Sequence, residues 1–163
     1  MPNKSALVSL GMGLVVAAVI VGLIVLKQQG STPRLAGRIT AVRTLGMDES
    51  SSVAIVDFRF TNDSRYRFVV GDCAMSVVDA KGETRQGQVI SASHTAQLFE
   101  LFPALGLKAG EPLIIKTKIA PGASNLVMLA ARFDLSKTDL DARKKIGVSV
   151  TEVDGAVSEL SVP

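Results

Sequence analysis

The sequence has little of the chemistry on which most functional sites depend. Its 163 residues include no tryptophan, one tyrosine, one cysteine and one histidine. The single Cys73 excludes an intramolecular disulfide and a cysteine-based zinc site, and the single His94 excludes a site with several histidine ligands. Scarce aromatic side chains also argue against surfaces that stack on nucleic-acid bases or sugars. We therefore expect no cofactor and no metal site.

The charge balance gives no sign of a nucleic-acid partner. The chain carries a formal charge of +3, from 18 Lys and Arg against 15 Asp and Glu. Lys4 and Lys27 precede residue 31, so residues 31–163 hold 16 cations and all 15 acids, a net charge of +1. A basic face is the electrostatic footprint of nucleic-acid binding. We expect no nucleic acid among the partners.

An apolar run near the N-terminus predicts a membrane anchor. Residues 6–26 contain no charge, no proline and one strongly polar side chain, Ser9. As a helix rising about 1.5 Å per residue, the run covers roughly 30 Å, the thickness of the hydrocarbon core of a bilayer. It is longer than the apolar region of a signal peptide, and no small-x-small cleavage site follows Leu26. It also lacks the polar face of an amphipathic core helix.

These observations predict three parts. Residues 1–27 form a short N-terminal tail and a transmembrane anchor helix, 28–34 a linker, and 35–163 a β-domain. The lipid bilayer is the first expected partner.

Two signals for the orientation of this anchor disagree. One lysine, Lys4, precedes the run and four cations follow it, at Lys27, Arg34, Arg38 and Arg43, which favours a cytoplasmic C-terminal side. A short tail, a single anchor and a β-domain are, however, the usual layout of a bacterial signal-anchor protein. We expect a single-pass protein of a bacterial cytoplasmic membrane with an extracytoplasmic (periplasmic) domain, although the charge rule disagrees.

Small residues in the predicted anchor suggest a helix contact. Gly11, Ala18 and Gly22 fall close to one stripe, and Ala18 and Gly22 have small-xxx-small spacing, which lets membrane helices approach closely. Glycine and alanine are also common in membrane helices, so the same spacing arises by chance.

Short strands separated by turn signals fill the rest of the chain. The clearest strand covers 52–62, where Ala54, Val56, Phe58 and Phe60 alternate with Ile55 and more polar residues, the period of a half-buried strand. The pattern is typical of an antiparallel sandwich or barrel. The predicted strands are 35–45, 52–62, 66–70, 73–79, 84–90, 113–119, 126–133, 146–151 and 156–162.

Two short helices are expected between the strands. One covers 92–101, with Ser91 as its N-cap and Pro103 ending it. The other covers about 136–144, with Ser136 as its cap and Asp139 three residues on.

Several turns resemble those of immunoglobulin-like domains in bacterial envelope proteins. The stretch 56–64 is similar to their strand followed by Thr-Asn-Asp/Asn-Ser, and Val78-Asp79-Ala80-Lys81-Gly82 to a later phrase. Residues 110–112 and 119–122 resemble their later turns. The resemblance implies a mainly β fold, namely an N-terminal transmembrane helix and an antiparallel immunoglobulin-like β-sandwich with one or two short helices. It implies a membrane-anchored or lipid-anchored protein but no activity, and the segment 91–107 departs from the family pattern.

No catalytic constellation is evident. Ser93 and His94, with Asp57 or Asp72 elsewhere, imitate a hydrolytic triad, but no Gly-x-Ser-x-Gly elbow is present. We expect His94 to be an exposed residue in the first turn of its helix. Cys73 is expected to be buried, and the adjacent Asp72 disfavours its thiolate. The sequence therefore predicts that the protein is not an enzyme.

The segment 97–107 is unusually apolar for a connection between strands. Leu98, Leu101, Phe102 and Leu105 can share one helical face, with Phe99 to the side. One interpretation is a lid that plugs one end of the sandwich. The other is an exposed apolar surface for a partner subunit or the bilayer.

The expected function is that of a non-enzymatic scaffold or accessory subunit of a membrane or cell-envelope complex, with membrane-protein partners. The alternative is a small-ligand-binding or sensing module with a pocket under 91–107. The candidate interaction residues are Gly11, Ala18, Gly22, Leu98, Phe99, Leu101, Phe102 and Leu105.

Overall fold

Two layers of mainly antiparallel strands make up the part of the chain that the computed structural model describes, residues 34–163. One layer has the order β1-β2-β7, and the other has the order β4-β3-β8-β9. The elements are β1 (Leu35–Gly46), β2 (Ser52–Asn62), β3 (Phe68–Val78), β4 (Thr84–Val89), α1 (Ala92–Leu101), a 3-10 turn (Pro103–Leu105), β5 (Glu111–Pro112), β6 (Lys118–Ile119), β7 (Ser124–Phe133), α2 (Lys137–Asp141), β8 (Lys145–Glu152) and β9 (Val157–Val162).

The two layers are joined at both sides. The end of β4 leaves its own layer and pairs with β7, where Val89 lies opposite Ala131. On the other side, the Leu35 backbone N–H of β1 donates to Ser158 Oγ of β9 at 2.9 Å. The result is a sandwich with a barrel-like closure, which confirms the predicted mainly β class with two helices.

The main core lies between the layers because each strand turns alternate side chains inward. Phe58 and Phe60 of β2 lie with ring centroids 6.0 Å apart. They join Met75 of β3, Phe133 of β7 and Val148 of β8 in one buried cluster.

Several element boundaries follow the sequence pattern closely. The bounds of β2 and α1 are those predicted, and Ser91 caps α1. Helix α2 is shorter than predicted, although Ser136 caps it as expected.

The predicted break at Gly71-Asp72 is wrong, since β3 is one strand. A bulge there lets Val70 pair with Glu152 and Asp72 with Thr151, so the ladder continues across the irregularity. A Cβ on Gly71 would lie 3.0 Å from the backbone of Val153, so the glycine permits this close approach.

The predicted strand at 113–119 is also wrong. The chain pairs here only through the two-residue strands β5 and β6 and crosses from one layer to the other between them. The Leu113 N–H donates to the Met128 carbonyl at 2.8 Å, and the Lys116 N–H donates to the Val70 carbonyl at 2.7 Å. The alternation of apolar residues therefore reflects a crossing segment with buried anchor points.

Two ends of the sandwich can be distinguished. Leu35 pairs with Asn62, so the chain enters the domain beside the loop 63–67. We call this the entry end, and it also carries the turns 120–123 and 153–156. The far end carries the loops 47–51 and 79–83.

Neither helix within 34–163 is long and apolar enough to cross a membrane. The predicted anchor 6–26, with Gly11, Ala18 and Gly22, lies outside the described residues.

Candidate functional site: an apolar groove beside helix α1

The insertion, residues 91–107, covers the outer face of the β1-β2-β7 layer. Its side chains form a second buried cluster, separate from the main core, against residues of β2 and β7. The buried members of this cluster are Val53, Ile55, Leu98, Leu105, Met128 and Ala130. The insertion therefore lies on a sheet face and does not plug an end of the sandwich.

Local signals in the sequence explain this shape. Ser91 Oγ accepts a hydrogen bond from the His94 N–H at 3.3 Å, which satisfies one free donor at the start of α1. Pro103 opens the 3-10 turn, and Gly106, with φ of 76°, ends it in a conformation that favours glycine.

The candidate residues of the insertion divide by burial. Leu98 and Leu105 are buried in the second cluster, and Phe99 and Phe102 are half-buried against it. Leu101, in contrast, is 71% exposed. The structure thus brings four of the five residues onto the sheet and leaves Leu101 free for contact with another molecule.

A buried ion pair lies beside this cluster. Arg43 Nη1 of β1 lies 2.6 Å from Asp57 Oδ2 of β2, and Asp57 has no exposed surface. Arg43 also donates to the Leu107 carbonyl at 3.3 Å, and its guanidinium carbon lies 5.7 Å from the centroid of the Phe99 ring. The pair therefore ties the end of the insertion to the sheet.

The surroundings of Asp57 perturb its ionisation. Burial raises the pKa of the Asp57 carboxyl above its usual value, and the neighbouring Arg43 opposes that shift. Among residues 34–163, neither oxygen of this carboxylate has a partner with hydrogen-bond geometry, although Oδ2 lies close to Arg43 Nη1. The carboxylate is thus held by the charge of Arg43.

An open groove of about 780 Å³ runs beside α1. It is bounded by the loop 47–51, by the end of β4 with the residues that follow it, and by α1 itself. Three of its large apolar side chains are well exposed, namely Met47, Val89 and Leu101. A concave surface of this kind fits an apolar side chain of a partner or a small ligand.

Polar groups stand around the rim. Gln97 and His94 project from α1, with Arg132 from β7 and Asp48 from the loop. Hydrogen bonds from Ser51 and Ser50 lower the pKa of Asp48 to about 2. The Asp48 carboxylate therefore stabilises its own loop. Within the described part of the chain, no three His, Cys, Asp or Glu residues gather as they would around a metal ion.

The remaining sequence candidates lie where the pattern indicated. His94 is exposed in the first turn of α1. Cys73 faces the main core, and burial, with a smaller effect from Asp72, raises the pKa of its thiol to about 11. Neither side chain joins an arrangement suited to nucleophilic chemistry.

The alternative interpretation placed a pocket under the insertion 91–107, and the groove does lie at this insertion, although beside α1 and not beneath it. Sequence reasoning missed the groove residues from outside the insertion, and it missed the ion pair. Met47 and Val89 come from distant connections, and only the pairing of β4 with β7 brings Val89 beside α1. Asp57 falls on the more polar face that the alternation of β2 predicts, and nothing in the sequence pattern pairs it with Arg43. The surplus of apolar residues in the insertion was the one available signal, because those residues need a face to cover.

No family model and no curated protein matches this chain. Solved structures with a similar arrangement include an uncharacterized β-sandwich protein from Clostridium difficile 630, at 10% identity, 79% coverage of this chain, 85% of that chain and a TM-score of 0.41. The yjhA protein from Bacillus subtilis matches at 6% identity, over 80% of this chain and 94% of that chain, with a TM-score of 0.45.

The archaellum periplasmic stator protein FlaG from Sulfolobus acidocaldarius matches at 9% identity, over 80% of this chain and 100% of that chain, with a TM-score of 0.35. Likenesses as distant as these support no conclusion about what this chain does.

Proposed function

We propose that this chain is a non-enzymatic, membrane-anchored β-sandwich that acts as a scaffold or accessory subunit of a membrane or cell-envelope complex. The apolar run 6–26 supports the anchor, since its length matches the hydrocarbon core. The proposed location is a bacterial cytoplasmic membrane, with the domain outside the cytoplasm.

An immunoglobulin-like fold fits the strand order. If β1, β2 and β7 are taken as strands A, B and E, then β4, β3, β8 and β9 fall at C′, C, F and G of an immunoglobulin-like sandwich. The insertion, residues 91–107, is then an addition to this immunoglobulin-like arrangement of strands.

The observation that carries the proposed role is the exposed Leu101 in the lining of the groove. Leu98, one turn earlier, already anchors α1 on the sheet, so Leu101 is not needed to hold the helix. With Met47 and Val89 it gives an apolar centre, and Gln97, His94 and Arg132 give a polar rim. An apolar centre within a polar rim is the usual anatomy of a protein–protein interface.

A pull-down from native membranes in gentle detergent tests this role. We expect the tagged wild-type chain to bring down a membrane protein in stoichiometric amount. Leu101→Asp removes that protein, because it puts a charge into the apolar centre. The matched control is Ile114→Asp, which changes a side chain of comparable exposure away from the groove. Loss of the partner with both variants, or with neither, contradicts the assignment to the groove.

The groove volume favours one alternative, a small-ligand-binding or sensing module. Ligand sites commonly enclose about 300–1,000 Å³, and a groove of about 780 Å³ falls within that range. A thermal-shift screen of small apolar molecules on the full chain in detergent tests it. A hit whose stabilisation is lost in Leu101→Asp and kept in Ile114→Asp favours the ligand module over the scaffold.

A further inference from the structure

The entry end presents a basic and aromatic loop. Arg65, Tyr66 and Arg67 are consecutive and exposed, and Tyr66, 58% exposed, is the only tyrosine in a chain without tryptophan. An exposed tyrosine between two arginines makes no use of the core. The ring and the two guanidinium groups are therefore available for contact with another molecule.

Asn62 holds this loop in a defined shape. Its buried amide Nδ2 donates to the carbonyl oxygens of Tyr66 at 2.8 Å and of Ile119 at 3.0 Å. Its Oδ1 accepts from the Ser64 N–H at 3.1 Å and from Ser64 Oγ at 2.7 Å. The buried side chain of Asn62 therefore fixes the backbone of the loop through these hydrogen bonds.

The chain enters the domain beside the same loop. Leu35 pairs with Asn62, so the predicted linker reaches the domain at this end. Residues 27–34, between the predicted span and Leu35, extend at most about 29 Å even when fully stretched. The exposed Arg34 and Lys118 add positive charge at this end, against Asp63 within the loop and the exposed Asp154 of the turn 153–156.

We propose that the loop of Arg65, Tyr66 and Arg67 docks on anionic phospholipid headgroups of the membrane that holds the anchor. Tyrosine favours the membrane–water interface because its ring is apolar and its hydroxyl is polar. Arginine binds phosphate through two parallel hydrogen bonds, and a negative leaflet attracts basic residues close to its surface. This inference rests on the membrane anchor of the proposed function.

The absence of tryptophan permits a direct test. The full chain is placed in nanodiscs of phosphatidylcholine and phosphatidylglycerol. The lipids are brominated either near the headgroup end of the acyl chains or, in a second sample, near the bilayer centre. Single-tryptophan variants report contact with lipid by fluorescence quenching. Tyr66→Trp reports on the loop, Met47→Trp on the far end and Ile20→Trp on the anchor.

We expect strong quenching of Tyr66→Trp and little of Met47→Trp. Adding Arg65→Glu and Arg67→Glu to the Tyr66→Trp chain lowers the docked fraction on the order of tenfold, because each arginine contributes to attraction by the anionic surface. Lys81→Glu with Lys144→Glu, the matched charge reversal at the far end, leaves the quenching unchanged.

The outcomes separate this inference from the proposed function. If Ile20→Trp is quenched by lipids brominated near the bilayer centre and Tyr66→Trp is not, the anchor stands and the docking loop is overturned. If Ile20→Trp is not quenched, the anchor itself fails, and the docking loop fails with it. Equal quenching of Tyr66→Trp with and without the two arginines also overturns the proposal.

Discussion

At the scale of single residues, the buried pair of Arg43 and Asp57 is the most consequential contact. Removing one partner of such a pair leaves an uncompensated buried charge, which typically costs about 3–5 kcal/mol. Arg43 also contacts Phe99 and the Leu107 carbonyl, so the pair links the stability of the sheet to the position of the insertion.

The variant Arg43→Met is expected to unfold more easily at neutral pH, by a few kcal/mol. Burial raises the pKa of Asp57 in the folded protein, and without Arg43 nothing at that distance opposes the rise. A carboxyl with a raised folded pKa favours folding below its unfolded pKa and loses that contribution as the pH rises through the folded value. The deficit of Arg43→Met therefore shrinks as the pH is lowered toward about 4.

Urea unfolding of the full chain in mild detergent, followed by circular dichroism at both pH values, measures this effect. Arg43→Met with Asp57→Asn is the control, because residue 57 then has no carboxyl to protonate, so its deficit should not shrink as the pH is lowered. A deficit of Arg43→Met that is equal at both pH values would contradict the account.

Cys73 should be inert in the folded chain. Burial and the nearby Asp72 raise the pKa of its thiol to about 11, so little thiolate exists near neutral pH. We expect a thiol reagent to modify Cys73 only after urea unfolds the domain. In Ala104→Cys, whose added thiol is exposed in the 3-10 turn, one thiol should react at once and the other after unfolding. Rapid modification of Cys73 in the native wild type would show that it is accessible.

At the scale of elements, the insertion has two distinct faces. Leu98 and Leu105 belong to the second buried cluster, whereas Leu101 points away from it. The face toward the sheet serves stability, and the opposite edge is available for binding. The two contributions are separable by mutation.

Leu98→Ala is expected to lower the free energy of unfolding by about 2–5 kcal/mol, because it leaves a cavity between α1 and the sheet. Leu101→Ala should change it by no more than about 0.5 kcal/mol, because exposed side chains contribute little. Chemical denaturation of both variants beside the wild type provides the comparison. Equal destabilisation by the two substitutions would mean that α1 packs differently.

Elements with a complete local signal were predictable from the sequence. Strand β2 alternates apolar and polar residues over 56–61, and α1 has a serine cap and a proline stop, so their bounds were correct. The sequence did not reveal that Gly71 forms a bulge within one long strand, because a glycine followed by aspartate is also a common strand end.

The candidate site needed tertiary information. The apolar excess of the insertion was visible, but its position on the outer face of β2 and β7 depends on pairings between distant segments. That position also buries Asp57, which the alternation of β2 would otherwise leave in solvent. The local alternation of apolar and polar residues is the same whether a charged side chain faces solvent or is covered by another segment of the chain.

At the scale of the whole molecule, the proposed function rests on the proposed anchor and the groove together. An anchor restricts the domain to the membrane surface, and the groove supplies a place where another subunit can bind. The entry end and the groove occupy different parts of the sandwich, since the loop 47–51 bounds the groove and lies at the far end. Contact with lipid and with a partner are therefore compatible.

Site-specific photo-crosslinking in native membranes tests this account most directly. A photoreactive amino acid replaces Gln97, which lines the groove, or, as the control, Gln86, which lies on the outer face of the other layer. The account predicts one discrete protein adduct from position 97 in the membrane fraction, and none of that mass from position 86. Adducts from both positions, or none from position 97, would contradict the claim that the groove binds a membrane partner.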